Sequence, residues 1–475
     1  MIEISFLVYD VGSTYTKLSA FNRDGNVLEF VGRSQAPTTV QNIEIGLNNA
    51  RSNLEKVLGS GPISAQITLA TSSAAGGLRM VAMGYMPRVT AKAAKEVAMS
   101  AGARVLEIIS YETPIDFRLQ VLKEIKPDII LLAGGTDGGD QESLFENAKV
   151  IVQAKSSGVV IIAGNNEAQA EVQKILESGG IRTLRVPNVM PTIHELKVKP
   201  AREAIHQEFI RQITRAKGLG ALLEMVSNRK VIPTPGAVLM GTELLAMGTP
   251  EQDGLGGLLV IDIGGATTDV HSVLPDLEKL SNEEKGLVIS NEKQVSYRTV
   301  EGNLGLRVSA TGIVETAGAS GVLAKVGLEG EELNKELINY VHFLEREPEH
   351  LSADDQEKMF DKALAITAIE LALKRHAGYL AQGFDPVMGI IPGSPVGRDL
   401  RKVERVMIVG GIFAHSSEEQ SREIVKKALA NPGISLLPHD PEIIIDRNYL
   451  LYTVGAIAQD HANDALALAL NFFNQ

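Results

Sequence analysis

The sequence predicts an α/β protein of several domains, and three observations lead to this fold class. The chain has 475 residues, which is too long for one ordinary hydrophobic core and indicates about two to four domains. Two segments, beginning at Ile2 and at Gly257, read as pairs of apolar strands joined by a glycine-bearing turn. From Thr90 onwards, predicted helices alternate with predicted strands, which is typical of a parallel sheet covered by helices.

The first glycine loop follows the apolar run Ile2 to Tyr9 and reads as the turn of a β-hairpin with the sequence Asp10-Val-Gly-Ser-Thr. Glycine has no Cβ and tolerates positive φ, so backbone N–H groups can approach a polyphosphate closely, and neighbouring hydroxyls add donors. The alternative is an ordinary turn at the end of a strand. We predict that this loop binds phosphate through Gly12, Ser13 and Thr14.

Two charged residues belong to the same loop. Asp10 ends its strand, where its carboxylate can hold the Mg²⁺ ion of a nucleotide, because Mg²⁺ keeps most of its waters and takes only one or two protein carboxylates. Lys17 can neutralise phosphate charge as a point cation, although a solvated strand lysine is the alternative. Asp10 and Lys17 are therefore predicted to be catalytic, with Asp10 also a metal ligand.

The next elements lead into the parallel block. Asn26 to Arg33 and Ile67 to Thr71 read as strands, with a helix from Ile43 to Leu58 between them. The block then runs in the order helix Ala91 to Ala101, strand Arg104 to Ser110, helix Phe117 to Ile125, strand Ile129 to Ala133, helix Gln141 to Ile151, strand Val159 to Ala163, helix Glu167 to Ser178, strand Arg182 to Val186 and a long helix Ala201 to Glu224.

Two loops of the block carry glycine and asparagine directly after a strand, namely Gly134 to Gly139 and Gly164 to Asn166. Ligands of open parallel sheets bind beyond the carboxyl ends of the strands, so these loops could hold a second ligand. Tight turns between strand and helix are the alternative interpretation.

The second hairpin contains the loop Asp262-Ile-Gly-Gly-Ala-Thr-Thr-Asp269. It repeats the first loop, because a carboxylate ends the strand and glycines and hydroxyls follow it. We predict that Asp262 is catalytic and the second Mg²⁺ ligand. The predicted phosphate contacts are Gly264, Gly265, Thr267 and Thr268.

Helices dominate the last part of the chain. They are predicted at Val308 to Lys325, Glu331 to Arg346, Gln356 to Ala381, Ser416 to Ala430 and Tyr449 to Asn471, with strands at Arg405 to Val409 and Glu442 to Ile445. The first of these strands runs into Gly410 and Gly411, where a planar ring can approach the backbone. We predict that these two glycines contact adenosine, and a simple strand-to-helix turn is the alternative.

In this order, the three loops resemble the phosphate-1, phosphate-2 and adenosine motifs of the actin, Hsp70 and sugar-kinase superfamily. A narrower resemblance covers about residues 5 to 460 and is to the GlmL or MutL accessory family, whose genes accompany adenosylcobalamin-dependent glutamate mutase and related aminomutases. It rests on the segments Ile129 to Gly139, Val160 to Asn166, Leu258 to Val273, Glu301 to Arg307 and Val406 to Gly411.

The resemblance implies a duplicated ribonuclease-H-like pair of actin/Hsp70 ATPase domains with an inserted parallel α/β subdomain. It places a first ATPase domain at residues 1–85, the insertion at 86–235 and a second ATPase domain at 236–475, whose C-terminal helix returns to the first domain. It also implies that Asp269 orients the attacking water or holds the metal through water, which makes it a third catalytic carboxylate. Gly455 is the predicted hinge residue, with plain helix packing as the alternative.

The function implied by the resemblance is slow, Mg²⁺-dependent ATP hydrolysis by a chaperone that reactivates or assembles an adenosylcobalamin-dependent mutase. ATP and Mg²⁺ are the expected cofactors and mutase subunits the expected partners, with damaged cobalamin released from them. The chain itself is not expected to bind cobalt, because its nearest match to Asp-x-His-x-x-Gly, Asp269-Val-His271, has Leu274 where glycine is required.

Composition narrows the function classes further. The net charge of −12 and the lack of a basic run make nucleic acid an unexpected partner. The chain has no cysteine, which excludes disulfides, thiolate metal sites and cysteine nucleophiles. No secretory signal and no apolar stretch of membrane-spanning length is recognised, so we expect a cytoplasmic protein without membrane contact. Whether it forms a homodimer is left open.

Two other functions fit the same loops. A small-molecule kinase or an ATP-coupled amidohydrolase of the superfamily would use the glycine and asparagine loops of the insertion to hold its substrate, with Asp137 or Asp269 as base. An actin-like filament would pellet in a nucleotide-dependent manner.

Overall fold

The computed structural model describes residues 2–12, 15–25, 27–39, 42–59, 61–73, 79–84, 104–192, 197–213, 219–227, 230–274, 296–384 and 390–473. It contains two compact units. The first comprises the described residues of Met1–Met240 and Tyr452–Leu468, and the second comprises those of Gly241–Val288, Gln294–Leu451 and Ala469–Gln475.

Strands of the first unit form two sheets. They are β1 (Ile2–Val11), β2 (Tyr15–Asp24), β3 (Val27–Pro37), β4 (Ile63–Ser72), β5 (Arg79–Gly84), β6 (Arg104–Ser110), β7 (Ile129–Leu132), β8 (Val159–Ile162), β9 (Thr183–Arg185) and β10 (Val231–Pro233). The helices up to its boundary are α1 (Ile43–Val57), α2 (Ile115–Ile125), α3 (Glu142–Gln153), α4 (Gln169–Ser178), α5 (Val198–Ile213), α6 (Leu219–Met225) and α7 (Thr234–Met247).

The first sheet has the strand order β3-β2-β1-β4-β10. Its first three strands are antiparallel neighbours, and β4 and β10 continue it in parallel. Asp10 of β1 lies opposite Lys17 of β2 and, on its other side, opposite Thr71 of β4. The hairpin predicted around Asp10 is therefore confirmed.

The second sheet has the order β6-β5-β7-β8-β9, and all its neighbouring strands are parallel. Along β7, Ile129 and Leu131 belong to the core that includes the first sheet, α5 and α6, whereas Ile130 and Leu132 belong to the core formed with α2, α3 and α4. Such burial on both faces is characteristic of parallel sheets. The inserted parallel α/β block is confirmed, although the predicted helix Ala91 to Ala101 lies outside the described residues.

The second unit contains another five-stranded sheet. The strands of this unit are β11 (Gly248–Thr249), β12 (Gln252–Asp253), β13 (Leu258–Ile263), β14 (Thr268–Val273), β15 (Ser296–Glu301), β16 (Tyr379–Leu380), β17 (Pro395–Val396), β18 (Arg405–Gly410) and β19 (Glu442–Asp446). Two pairs, β11 with β12 and β16 with β17, form separate two-stranded sheets. The helices of the second unit are α8 (Ala310–Ala317), α9 (Ala319–Ala324), α10 (Glu331–Arg346), α11 (Asp355–His376), α12 (Gly411–His415) and α13 (Glu418–Leu429). The last two helices are α14 (Leu451–Ala458) and α15 (Ala462–Phe473), most of whose residues belong to the first unit.

The order of that sheet is β15-β14-β13-β18-β19, with antiparallel pairing from β15 to β13 and parallel pairing from β13 to β19. Order and directions therefore repeat those of the first sheet. The predicted fold class, a duplicated ribonuclease-H-like arrangement with an inserted parallel α/β subdomain, is confirmed by this topology.

Three predicted helices are longer than the helices in the structure. The segment Val308 to Lys325 forms two helices, because Gly318 has φ +74 and interrupts the helical backbone. The helix predicted to reach Ala381 ends at His376, after which Ala377 is extended. The predicted closing helix is divided into α14 and α15, and His461 in the intervening turn donates its N–H to the carbonyl of Ile457.

The C-terminal helices contact the first sheet within the first unit. The hydroxyl of Tyr452 lies 3.4 Å from that of Ser19, and Asp464 receives a bidentate ion pair from Arg23. Gly455 is buried within α14. No helix among the described residues has both the length and the apolar character that a membrane crossing requires.

Candidate functional site

The first loop is a tight turn between β1 and β2. Gly12 donates its N–H to the carbonyl of Tyr15 over 3.0 Å, and a Cβ at Gly12 would lie only 2.7 Å from that oxygen. No other residue type fits here without moving the backbone. The predicted phosphate contacts Ser13 and Thr14 lie outside the described residues.

Asp10, at the end of β1, is only 2% exposed and is bound on both carboxylate oxygens. Thr71 donates its hydroxyl to Asp10 Oδ1 over 2.9 Å, and Thr234 donates to the same oxygen over 2.6 Å. The ammonium of Lys17 lies 3.6 Å from Oδ2. The carboxylate is thus held in one orientation at the glycine turn, with a cation beside it.

Sequence reasoning found Asp10 and Lys17 but missed the two threonines. Thr71 lies near the end of a strand for which the sequence predicts no functional residue. Thr234 is the first residue of α7 and directly precedes Pro235. A threonine before proline at the start of a helix is a capping pattern, which was the one local signal available. Their convergence on Asp10 follows from the pairing of β4 with β1 and of β10 with β4.

The second loop, residues 264–267, is held from behind by the segment that follows β15. The carbonyl of Gly264 accepts the N–H of Leu306 over 3.0 Å, and the carbonyl of Gly265 accepts the N–H groups of both Arg307 and Val308 over 2.8 Å. The carbonyl of Ala266 accepts the hydroxyl of Ser309. Three successive carbonyls of the loop therefore point towards residues 306–309.

The same bonds determine where the N–H groups of the loop point. In a planar trans peptide the carbonyl and the following N–H are directed to opposite sides. The N–H groups of Gly265, Ala266 and Thr267 are consequently turned away from residues 306–309, and within the described part of the chain none of them has a hydrogen-bond partner. Gly265 and Ala266 are exposed. We call these three consecutive N–H groups on one side of the loop the nest, because free N–H groups in such a turn can donate to an anion.

Asp269 is engaged in an ion pair. It is 7% exposed, and its Oδ1 accepts a hydrogen bond from Nε of Arg298 over 2.8 Å. Arg298 is 5% exposed. The second oxygen of Asp269 accepts the hydroxyl of Thr267 over 3.1 Å. Asp262 is half-buried and lies directly opposite Asp269 across the hairpin, so the two side chains share one face of the sheet. The geometry favours a positioning role for Asp269, since both of its oxygens already have partners.

The threonine hydroxyls of the second loop are also committed to protein partners. Thr268 is fully buried and donates its hydroxyl to the carbonyl of Leu304 over 2.7 Å, while Thr267 donates to Asp269. The predicted hydroxyl contacts to phosphate are therefore not presented at the loop surface. The N–H groups of Gly265, Ala266 and Thr267 are the donors of this loop that have no partner among the described residues.

The third glycine motif lies between β18 and α12. Gly410 has φ +146, and a Cβ there would lie 2.4 Å from the carbonyl oxygen of Ile263, so glycine is required where the paired strands β18 and β13 end side by side. Gly411 is exposed and opens α12. A Cβ on Gly411 would lie 3.3 Å from the hydroxyl of Tyr449, which places this tyrosine beside the predicted adenosine contact.

Two buried histidines lie on β14 and at the end of α11. His271, on β14, has no hydrogen-bond partner on either ring nitrogen among the described residues. Burial and the positive charge of Arg298 hold the pKa of His271 well below its usual value of 6.5. Burial, Arg398 and His271 do the same for the pKa of His376, whose ring nitrogens lie 2.8 Å from the hydroxyls of Thr299 and Ser272. Both rings are therefore neutral at pH 7.

At the carboxyl edge of the inserted sheet, the two glycine and asparagine loops bind each other. The carboxylate of Asp137 accepts the backbone N–H of Asn166 over 3.0 Å and the side-chain amides of Asn166 and Asn188, each over 2.8 Å. Asn188 also donates to the carbonyl of Gly135 over 3.0 Å. These contacts stabilise the turns and already occupy both oxygens of Asp137.

No group of three or more histidine or acidic side chains that could hold a metal ion occurs within the described ranges. The carboxylates at the two glycine loops, Asp10 and Asp262, are hard oxygen donors of the kind that Mg²⁺ prefers. Each of them, within its own unit, is a suitable donor for an ion whose other ligands are water and phosphate.

Comparison with known proteins shows a family match over nearly the whole chain. The chain matches the model of the MutL protein family from residue 6 to residue 472. It is 37% identical over 471 residues to Protein MutL of Clostridium tetanomorphum, with 98% of both chains covered.

Solved structures are more distant. The ROK hexokinase from Thermus thermophilus is 10% identical over 99% of both chains, with a TM-score of 0.28. The xylulose kinase from Bifidobacterium adolescentis is 14% identical over 97% of this chain and 93% of its own, with a TM-score of 0.31. Because these TM-scores are low, the fold assignment rests on the strand order of the two repeated sheets.

Proposed function

Because the chain belongs to the MutL family, we propose that it is an ATP-dependent reactivating or assembly chaperone for an adenosylcobalamin-dependent mutase of the glutamate mutase type. Its partners are the mutase subunits, and its action on them is to promote the release of damaged cobalamin. Family membership supports the choice of partner. The glycine loops support the use of ATP.

The anion-binding nest of the second loop is the observation that carries the nucleotide part of the proposal. Three free N–H groups at Gly265, Ala266 and Thr267 match the needs of a phosphate group, which accepts several hydrogen bonds from donors fixed in advance. An acidic protein with a net charge of −12 gains no general attraction for anions, so a local nest is what a phosphate would require.

The other loop residues have matching roles in this proposal. Asp10 in the first loop and Asp262 in the second would be the protein carboxylates that hold Mg²⁺, and Lys17 would neutralise phosphate charge near the first loop. When bound, Mg²⁺ would offset negative charge on the phosphate oxygens. Gly12 with Ser13 and Thr14 would contact phosphate at the first loop, and Gly265, Ala266 and Thr267 would do so through their backbone N–H groups at the second. The N–H of Gly264, a further predicted contact, already donates to the carbonyl of Thr267. Gly410 and Gly411 leave room for adenosine.

The reaction needs little from side chains beyond orientation and charge. Phosphoryl transfer depends on positioning and electrostatic stabilisation more than on covalent chemistry. Asp269 contributes through Thr267, whose hydroxyl it binds, and so helps to fix the end of the nest. Slow turnover of this kind suits a switch, in which ATP and ADP favour different conformations and a partner responds to the difference.

The nucleotide assignment is tested by measuring Mg²⁺-dependent ATP turnover in Asp10→Asn. Asparagine keeps an oxygen that can accept from Thr71 and Thr234, so the fold is retained while the negative charge is lost. We expect turnover to fall by about 100-fold or more. Asp24→Asn makes the same change at an exposed carboxylate at the end of β2 and is the matched control. Its ATP turnover should stay within about twofold of wild type. Wild-type turnover in Asp10→Asn would contradict the assignment.

The partner assignment is tested separately with a mutase that has lost activity. The inactivated mutase is incubated with this protein, ATP and fresh adenosylcobalamin, and the recovered activity is compared with a sample without ATP and a sample with Asp10→Asn. Recovery only in the complete mixture supports the proposal. Recovery equal to that of the sample without ATP would rule out the chaperone role.

The alternative of a small-molecule kinase or amidohydrolase relied on Asp137 and the loops around it. Both oxygens of Asp137 accept hydrogen bonds from asparagine side chains or backbone, so using it as a base would first require breaking those bonds. Release of ADP stimulated by a metabolite alone, without a protein partner, would support this alternative.

A further inference from the structure

The segment from Glu301 to Ser309, which we call the backing segment, packs directly against the second loop. Its backbone N–H groups and one hydroxyl bind three successive loop carbonyls. Gly305 leaves no space between the two chains, because a Cβ there would lie 2.3 Å from the carbonyl carbon of Ala266. The loop and its backing are therefore in close contact along their length, and moving one moves the other.

Arg307 connects this backing to the helical core of the second unit. Its guanidinium donates to both oxygens of Asp361 on α11, over 3.1 and 2.9 Å, and it also donates to the carbonyls of Leu306 over 2.7 Å and of His350 over 3.2 Å. The side chain is 17% exposed and that of Asp361 is 8% exposed. Arg307 is thus fixed on one side by a helix while its backbone N–H holds the loop on the other.

Asp361 is itself fixed by a second donor. Tyr340 on α10 donates its hydroxyl to Asp361 Oδ1 over 3.1 Å. Burial and the Asp361 carboxylate raise the pKa of Tyr340, so its hydroxyl keeps its proton and remains a donor. The chain of contacts runs from two helices through one carboxylate and one guanidinium to the loop.

We propose that Arg307 is a positioning residue for phosphate binding: through Asp361 it holds residues 301–309 against the second loop and thereby keeps the three free N–H groups of Gly265, Ala266 and Thr267 turned outwards. This inference rests on the proposed use of ATP. The charge of Arg307 is neutralised by Asp361, so its effect on phosphate comes through the loop backbone. Removing it should weaken the phosphate contribution to binding and leave other contributions unchanged.

Arginine is needed for this role because of its shape. Its planar fork binds a carboxylate with two parallel bonds and has further N–H groups for carbonyls, whereas lysine is a single point charge. Arg307→Lys therefore keeps the charge but loses the geometry. This variant tests positioning while a cation remains next to the buried carboxylate of Asp361.

The experiment compares ADP and adenosine binding by calorimetry in the full-length protein. We expect Arg307→Lys and Asp361→Asn each to weaken ADP binding by about tenfold or more, with adenosine affinity within about twofold of wild type. The double variant should resemble either single one, because the two residues act as one unit. Lys325→Ala is the matched control, since it removes an ion pair to Glu370 on the same helix α11 without touching the loop.

The outcomes separate this inference from the proposed function. If wild-type protein binds ADP and Arg307→Lys binds it equally well, the positioning role is wrong and ATP use stands. If the wild type binds no ADP or ATP, the proposed function is wrong. If Arg307→Lys loses adenosine and ADP affinity together, its role is a general structural one, which also overturns the inference. Tyr340→Phe, which removes only the hydroxyl, should give a smaller loss of ADP affinity in the same direction and serves if the stronger variants fail to fold.

Discussion

Asp269 offers a direct way to separate a structural role from a catalytic one. The perturbation is Asp269→Ala, which removes the carboxylate that Arg298 binds through its Nε over 2.8 Å. Both residues are at most 7% exposed, so water replaces little of the lost interaction. Removing one partner of a buried ion pair costs about 3–5 kcal/mol. At about 1.4 kcal/mol per factor of ten, the folding equilibrium should fall by about 100- to 3000-fold.

The assay is urea denaturation followed by circular dichroism, because the chain has no tryptophan to report unfolding by fluorescence. Lys174→Ala is the control. It breaks an ion pair with Glu171 whose side chains are 75% and 55% exposed, and it should cost no more than about 1 kcal/mol. A free energy of unfolding for Asp269→Ala that equals that of the control would refute the reasoning. Asp269 would then be free for the catalytic role that the sequence suggested.

Three further predictions follow from single contacts. Stability should fall as the pH drops below about 6.5, because the unfolded histidines gain protons there while burial keeps the pKa of His271 and of His376 lower in the folded protein, and the loss between pH 7 and pH 5 should be at most about 2 kcal/mol per histidine. Urea midpoints should show a smaller total loss in His271→Gln than in wild type, and an unchanged loss would contradict this reasoning. Gly410→Ala should lower stability by about 1–3 kcal/mol, because Gly410 has φ +146 and the added Cβ would lie 2.4 Å from the carbonyl oxygen of Ile263. Thermal unfolding measures this loss, and an unchanged midpoint would contradict the close contact between the two strands. Thr234→Val should reduce ATP turnover about tenfold or more by removing the 2.6 Å bond to Asp10, whereas Thr234→Ser should restore it, and equal turnover in both would exclude a role for the hydroxyl.

Much of the fold could be predicted because its signals are local. The two hairpins show apolar strands separated by glycine turns, and the inserted block alternates strands and helices at regular spacing. Helix ends were less predictable. Gly318 lies in a segment with helical periodicity, and only its φ of +74 shows that two helices meet there.

The candidate site was predicted only in part, because its supporting contacts are distant in sequence. Thr71 and Thr234 are 61 and 224 residues from Asp10 and approach it through strand pairing. Arg307 and Asp361 are 54 residues apart and meet only because α11 packs beside the second loop. A local pattern contains no signal for such pairs.

The sequence by itself determined the family, the two glycine loops and the carboxylate that ends each preceding strand. It could not determine which groups of those loops are free to bind a ligand. The structure shows that the hydroxyls of Thr267 and Thr268 and the carboxylate of Asp269 have hydrogen-bond partners. The backbone N–H groups of Gly265, Ala266 and Thr267 have none within the part of the chain that the structure describes. The physical reason is that a peptide plane is oriented by the partner of its carbonyl, and here those partners belong to residues 306–309, about forty positions further along the chain.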